Sequence, residues 1–299
     1  MISIFAVFIL ASAILILSIS KAQTWGLVDK PSDRKFQTTP IPRLGGLSFY
    51  LPFLLSSFFL KSSWSWALIM GATIIFIGGL YDDLGKVHRA RTKIIFQLAG
   101  CGVFALFFPL TNISTDVNLS ARFAVGAILF AMVNSFNLMD NMNGLTSGLS
   151  LILLLGISIL TKSETLQNSL ILCSVAIVPF FLTNFLTGNV FMGDQGSQLL
   201  GFIIPSFFFE IFLSQAQLDS YSSLLKPLLV LICFLFLFIA DTCLVIVLRL
   251  REGRSIFLGD QSHISHQLLK LGLTKASVAY FLFIVQSTLI YFGLKLFIL

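Results

Sequence analysis

Five polar segments interrupt an otherwise apolar chain, and each carries side chains able to hold ions or move protons. One reads Tyr81-Asp82-Asp83-Leu-Gly-Lys86. Two adjacent carboxylates repel each other, and at the end of a helix they also oppose the negative end of its dipole, so they call for a cation. Downstream, Arg89, Lys93 and Gln97 recur every four residues and share one helical stripe. In Asn134-x-x-Asn137-x-x-Asp140-x-x-Asn143-Gly144, positions 134, 137 and 140 fall within roughly a 120° arc, so two amides and a carboxylate share a face. In Phe191-Met-Gly193-Asp194-Gln-Gly196-Ser197, glycines bracket an acid, and the backbone N–H groups that follow can face an anion. Oxygen ligands without thiols favour Mg²⁺ or Mn²⁺ over zinc.

The remaining two segments are basic. Gly26 to Gly46 has prolines at 31, 40 and 42 that forbid a regular helix, and it could equally rest on anionic headgroups. The stretch from Arg249 sets His263 and His266 three residues apart beside Arg249, Arg251 and Arg254, a pattern for binding an anion. Zinc there lacks a third soft ligand. Asp241, about two turns inside an apolar run, would pair with another span or help shape the site.

The elements that must position these residues follow from composition. Of 299 residues, 57% are hydrophobic and 11% charged, against roughly 25% charged in a soluble domain. That excludes a water-soluble globule and predicts an all-α, polytopic membrane protein forming one transmembrane domain over 1–299. Apolar runs near 2–20, 45–60, 65–81, 93–110, 122–139, 145–161, 168–187, 197–214, 225–248 and 277–297 predict about ten transmembrane helices. The polar loops near 21–44, 82–92, 139–145, 188–196 and 249–276 then share one face. Fourteen of the nineteen Lys and Arg residues lie after odd-numbered runs, which puts that face in the cytoplasm and both termini outside. The basic excess, with a formal net charge of +6, thus reports membrane orientation and not nucleic acid.

All three histidines and eight of the thirteen acids lie on the same face, whereas the outer connections are nearly bare of chemistry. A transporter of an anionic or lipid-linked substrate is the alternative, and it would place ionisable groups at the membrane midplane. Here the interior offers mainly Asp241 and Glu210. An intramembrane aspartyl protease fits less well, because position 191 is Phe where a Gly-x-Gly-Asp element needs glycine. Cys101, Cys173, Cys233 and Cys243 all lie in apolar runs, without spacing for a disulfide framework or a thiolate metal site.

Taken in order, these segments resemble the polyprenyl-phosphate N-acetylhexosamine-1-phosphate transferases, over most of the chain from Gly26 to about Gly272. Tyr-Asp82-Asp83, the Asn134 to Gly144 pattern, Phe191-Met-Gly-Asp194-x-Gly-Ser and Asp260-x-x-His263-x-x-His266 carry the resemblance together. It implies attack of undecaprenyl phosphate on the β-phosphorus of a UDP-N-acetylhexosamine, yielding UMP and a lipid-diphospho-sugar. By the same resemblance, Asp194 and Asn137 hold Mg²⁺, with Mn²⁺ as a substitute. Asn143, Gly144 and Phe191 bind the nucleotide, while Lys93, Arg254, His263 and His266 contact phosphates and sugar. Asp82, Asp83 and Asp140 are the catalytic acids.

A phosphomonoester has a second pKa near 6, so the lipid nucleophile is largely dianionic at neutral pH and an ordinary Asp is a weak base for it. Asp82 is therefore expected to position the nucleophile or ligate metal. Gln37, Gln261 and Ser265 depart from residues frequent in the family, and these departures bear on sugar recognition more than on reaction type. A plain or deoxy N-acetylhexosamine donor is expected. The product would start a surface polysaccharide at the bacterial inner membrane, with a homodimer left open.

Overall fold

The computed structural model describes residues 3–29, 39–58, 65–85, 90–109, 115–215, 225–255 and 262–298. The helices are α1 (Ile4–Lys21), α2 (Gly45–Phe58), α3 (Ser65–Asp83), α4 (Ala90–Phe107), α5 (Thr115–Met139), α6 (Leu145–Leu160), α7 (Glu164–Thr187), α8 (Gly193–Gln215), α9 (Leu225–Arg251), the short α10 (Ile264–Lys270) and α11 (Lys275–Ile298). The long helices coincide with the apolar runs. Among the described residues, six are long and apolar enough to cross a membrane, namely α1, α3, the 119–139 part of α5, α7, α9 and α11. The chain is a polytopic all-α membrane protein, with one small exception to helicity among the described residues. Between α1 and α2, β1 (Val28–Asp29) pairs antiparallel with β2 (Ile41–Pro42), because proline at 40 and 42 denies that stretch a helix.

Local signals account for several helix ends. The Ser3 hydroxyl accepts from Ala6 N at 3.1 Å and opens α1. Gly188, at φ +65°, closes α7 by donating its N–H to Asn184 O at 3.0 Å. On the far side of the bundle from the polar loops, Arg122 donates to the carbonyls of Ala105, Leu106 and Phe108, the orphan acceptors at the end of α4.

At the centre lies α8, packed against α2, α3, α5 and α6. Its buried face includes Phe202 and Phe207, while Phe136 of α5 stacks on Phe238 of α9 at 3.7 Å between ring centroids. Glycines let neighbouring backbones approach the start of α8 closely. A Cβ on Gly79 of α3 would lie 2.4 Å from Gln195 Cα, and one on Gly46 of α2 would lie 2.6 Å from Gly196 Cα. These contacts are backbone, so no side chain can move aside. Gly79→Ala is expected to cost about 1–3 kcal/mol through overpacking, read as a lower midpoint of thermal unfolding in detergent.

Candidate active site

The polar segments meet around the first turn of α8. Gly193, at φ +77°, turns the chain sharply into the helix and leaves Asp194 in its first turn, where the dipole favours a negative charge. Lys93, near the start of α4, extends its ammonium between Asp194 Oδ2 and Asp82 Oδ2, 3.1 Å from the latter. The same Nζ donates to Asn137 Oδ1 at 3.1 Å. Asn137 Nδ2 in turn donates to Asp194 Oδ1 at 3.1 Å and to Ser197 Oγ at 3.0 Å. Three oxygen donors from α3, α5 and α8 therefore converge on one point, now held by an ammonium group.

A chain of amides supports this cluster from below. Gln198 Nε2 donates to Asp194 Oδ2 at 3.3 Å, Gln97 Nε2 to Gln198 Oε1 at 3.0 Å, and Asn134 Nδ2 to Gln97 Oε1 at 3.1 Å. Helical spacing thus delivers Lys93 with Gln97, and Asn134 with Asn137, as the sequence pattern requires. Arg89 of the expected stripe lies outside the described residues, as do His88, Asp260, Gln37 and Gln261.

Beside the cluster is a cavity of about 310 Å³, lined by Asn137, Asp140, Asn143, Asn184, Phe191 and Asp194 among others. Phe191 is held by a backbone strap: Phe191 N donates to Pro42 O at 2.7 Å, and Gly45 N donates to Phe191 O at 3.0 Å. Gly144, at φ +73°, opens α6 directly after Asn143. Burial and then the nearby Asp194 charge push the Asp140 carboxyl up to about 7. Asp194 behaves oppositely. Its burial is outweighed by the Lys93 charge and by hydrogen bonds from Asp82, Lys93 and Asn137, which hold it down at about 2.

Asp140 thus changes charge near neutrality. Above about pH 7 it adds a negative charge to the cavity, and below that it is neutral, while Asp194 stays ionised throughout. For an anionic ligand, KM should rise as pH increases through about 7. In Asp140→Asn that rise is expected to be smaller in the pH profile of KM.

Among the described residues, the side chains of the basic C-terminal segment do not line this cavity. Arg254 pairs with Glu252 and lines a second cavity of about 530 Å³ with Ser262, Gln267 and Lys270. His263 and His266 are not among the residues lining the cavity beside Asp194. His263 Nδ1 lies 2.8 Å from Asp241 Oδ2, and Asp241 Oδ1 accepts from Ile264 N at 2.7 Å. The carboxylate inside α9 therefore anchors α10, which meets the cavity wall where Ser265 Oγ donates to Asn141 Oδ1 at 2.5 Å.

Several contributing residues were not among those singled out from the sequence. Buried Asn184 accepts from Gly144 N at 2.5 Å and donates to Val190 O at 2.6 Å, tying together the two loops that carry Asn143 and Phe191. Its signal in the sequence was an amide within an apolar run, four residues before Gly188. Arg43 and Asp29 also line the cavity and pair with each other across β1 and β2. Asn184→Ala leaves two buried backbone groups unpaired, at about 1–3 kcal/mol each. It should lower the thermal midpoint in detergent and raise KM for a nucleotide ligand.

Among the described residues, no three His, Cys, Asp or Glu side chains form a metal cage on their own. The converging set is instead two carboxylates and an amide. That suits a hard cation that retains water and takes its remaining ligands from a bound phosphate.

The model of glycosyl transferase family 4 matches residues 65–212, from the start of α3 to near the end of α8. A decaprenyl-phosphate N-acetylglucosaminephosphotransferase of Mycobacterium leprae is 30% identical, aligned over 81% of this chain and 70% of its own. A probable undecaprenyl-phosphate N-acetylglucosaminyl 1-phosphate transferase of Bacillus subtilis is 32% identical over 83% of this chain and 71% of its own. An undecaprenyl-phosphate alpha-N-acetylglucosaminyl 1-phosphate transferase of Escherichia coli is 27% identical over 90% of this chain and 76% of its own.

Proposed function

The chain belongs to glycosyl transferase family 4, and from that premise we propose that it transfers an N-acetylhexosamine-1-phosphate from a UDP-sugar to undecaprenyl phosphate. A phosphate oxygen of the lipid attacks the β-phosphorus, which carries the sugar. The bond from that phosphorus to the bridging oxygen breaks, and UMP leaves with the electron pair. The lipid-diphospho-sugar so formed starts a cell-surface polysaccharide.

The observation that carries this reading is the convergence of Asp82, Lys93, Asn137 and Asp194 beside a cavity lined by polar side chains. Phosphoryl transfer needs positioning and charge neutralisation more than covalent help. Asp194 and Asn137 would hold Mg²⁺, whose role when bound is to neutralise charge on the diphosphate. With Mg²⁺ held there, the Lys93 ammonium would be available to a phosphate oxygen. Asp82 faces the cluster and orients the incoming lipid phosphate. Asn143 and Phe191, on loops joined by Asn184, receive the nucleotide. Arg43 adds a cation to the cavity wall.

The same reading places the polar face in the cytoplasm, both termini outside and about ten helices in the membrane, as the distribution of Lys and Arg favours. The long helices that fall short of a spanning helix by length or composition would be completed by the bundle around them. Asp241 offers little to a transporter, because both its oxygens are engaged by α10.

The test incubates purified protein with undecaprenyl phosphate, Mg²⁺ and a panel of UDP-N-acetylhexosamines, measuring UMP and glycolipid. UMP release that depends on both lipid phosphate and a divalent cation is expected. Donor-independent flux of lipid without UMP would overturn the proposal.

A further inference from the structure

The two adjacent acids at the end of α3 point to different tasks. Successive residues on a helix are turned about 100° from each other, so one carboxylate of such a pair can face the Lys93 ammonium on α4 while the other meets the start of α8. Asp82 takes the first position, 3.1 Å from Lys93 Nζ. Asp83 takes the second. Its Oδ1 accepts from Asp194 N at 3.0 Å and its Oδ2 from Gln195 N at 3.1 Å, and the residue is 8% exposed.

Those two amides belong to the first turn of α8, where N–H groups have no partner within their own helix. Gly193 precedes them and has no side chain with which to cap them. It could not carry one either, since a Cβ there would lie 2.6 Å from Asp83 Oδ2 and 2.7 Å from Arg43 O. Gln195 is pinned a second time, with its Nε2 donating to Arg43 O at 2.8 Å. Gly79, one turn before Asp83, brings the α3 backbone against Gln195. The positive end of the α8 dipole favours the carboxylate at this spot.

We infer that Asp83 is a positioning residue, a carboxylate on α3 that caps α8 and so fixes the direction in which Asp194 projects towards Lys93 and Asn137. Asp82 is the member of the pair that meets reacting groups. Asp83 also borders the cavity, but both its oxygens are engaged by the backbone of Asp194 and Gln195, and through that backbone its substitution displaces the ion cluster without removing any of the cluster's own members. The kinetic consequence rests on the transferase reading, while the structural consequence does not.

The deciding measurement is amide hydrogen exchange on the full chain in detergent with EDTA and no substrate, followed in a peptide covering residues 190–199. In the wild type the Asp194 and Gln195 amides should be protected. Asp83→Ala should take up about two more deuterons at short times, one for each bond lost. Asp82→Asn should leave uptake there unchanged. Asp83→Asn keeps one acceptor oxygen and should recover part of the protection.

In the UMP assay, Asp83→Asn should lower kcat by about 10²-fold, as expected for a misplaced rather than missing group. Mn²⁺ binding, read by electron paramagnetic resonance, should weaken in parallel with exchange.

Wild-type amides that exchange at unprotected rates would overturn the inference even if every variant misfolds. So would an inactive Asp83→Asn with wild-type exchange. Wild-type protein that releases no UMP with any donor would sink the transferase reading instead, and the exchange result would still decide the role of Asp83.

Discussion

Asp194→Asn is expected to lower kcat by at least about 10²–10³-fold, the loss typical of removing one preorganised charge-stabilising group. The substitution keeps size and shape but removes the negative charge and puts an NH₂ among donors. Asp194 accepts from Lys93 Nζ, Asn137 Nδ2 and Gln198 Nε2, so an amide there faces three donors with a single acceptor oxygen. Its low pKa of about 2 means that the wild-type carboxylate is ionised over the whole working range. No pH adjustment can therefore mimic or rescue the variant. The check is UMP release at saturating donor, together with Mn²⁺ binding by electron paramagnetic resonance. Retention of both within a factor of about 10 would remove Asp194 from the proposed metal site.

Lys93→Met is expected to be the second severe change, and for a different reason. Its ammonium is the cation that lets Asp82 and Asp194 approach one point, and Met leaves two carboxylates facing each other. A fully buried pair broken in this way costs about 3–5 kcal/mol, but these side chains are 21–31% exposed, so about 1–3 kcal/mol is appropriate. A lower thermal midpoint should accompany a roughly 10²–10³-fold fall in kcat. Adding Asp82→Asn removes the repulsion, so the double variant should regain part of the stability but none of the activity. That non-additivity, of order 0.5–3 kcal/mol, is the signature of direct coupling. Lys93→Arg should not restore function, because a planar guanidinium cannot occupy the point where three oxygens converge on one nitrogen. Additive effects of Lys93→Met and Asp82→Asn would show that the ion pair does not hold the cluster.

The device shown by Asp83 recurs at Asp241. Each is a carboxylate on one long helix that accepts from the backbone at the start of another element, Asp83 from two N–H groups of α8 and Asp241 from one of α10. In an apolar surrounding, an uncapped helix end costs more than it does in water, since no solvent competes for the orphan donors. Acids near the ends of membrane helices can thus be structural pins as readily as reactive groups. Residue type alone does not separate the two.

What the sequence determined by itself is local and periodic. Long apolar runs imply helices because only an internally bonded backbone is stable in hydrocarbon. The 3.6-residue repeat places Lys93 with Gln97, and Asn134 with Asn137, on shared faces. The clustering of charge between odd-numbered and even-numbered runs groups the polar loops on one side, and Pro and Gly mark the breaks at β2, Gly144 and Gly193. Only the tertiary structure decided which of these residues meet. Asp83 and Asp194 are 111 residues apart, and Lys93 and Asp194 are 101 apart. No local propensity encodes those contacts, which depend on how α3, α4 and α5 pack around α8. The same packing put Arg254 on a separate cavity, gave Asn184 its joining role, and set one of two adjacent acids against the α8 backbone and the other against Lys93. Each outcome depends on the rotation of a whole helix about its axis, a quantity that the apolar pattern leaves open when nearly every face of the helix is greasy.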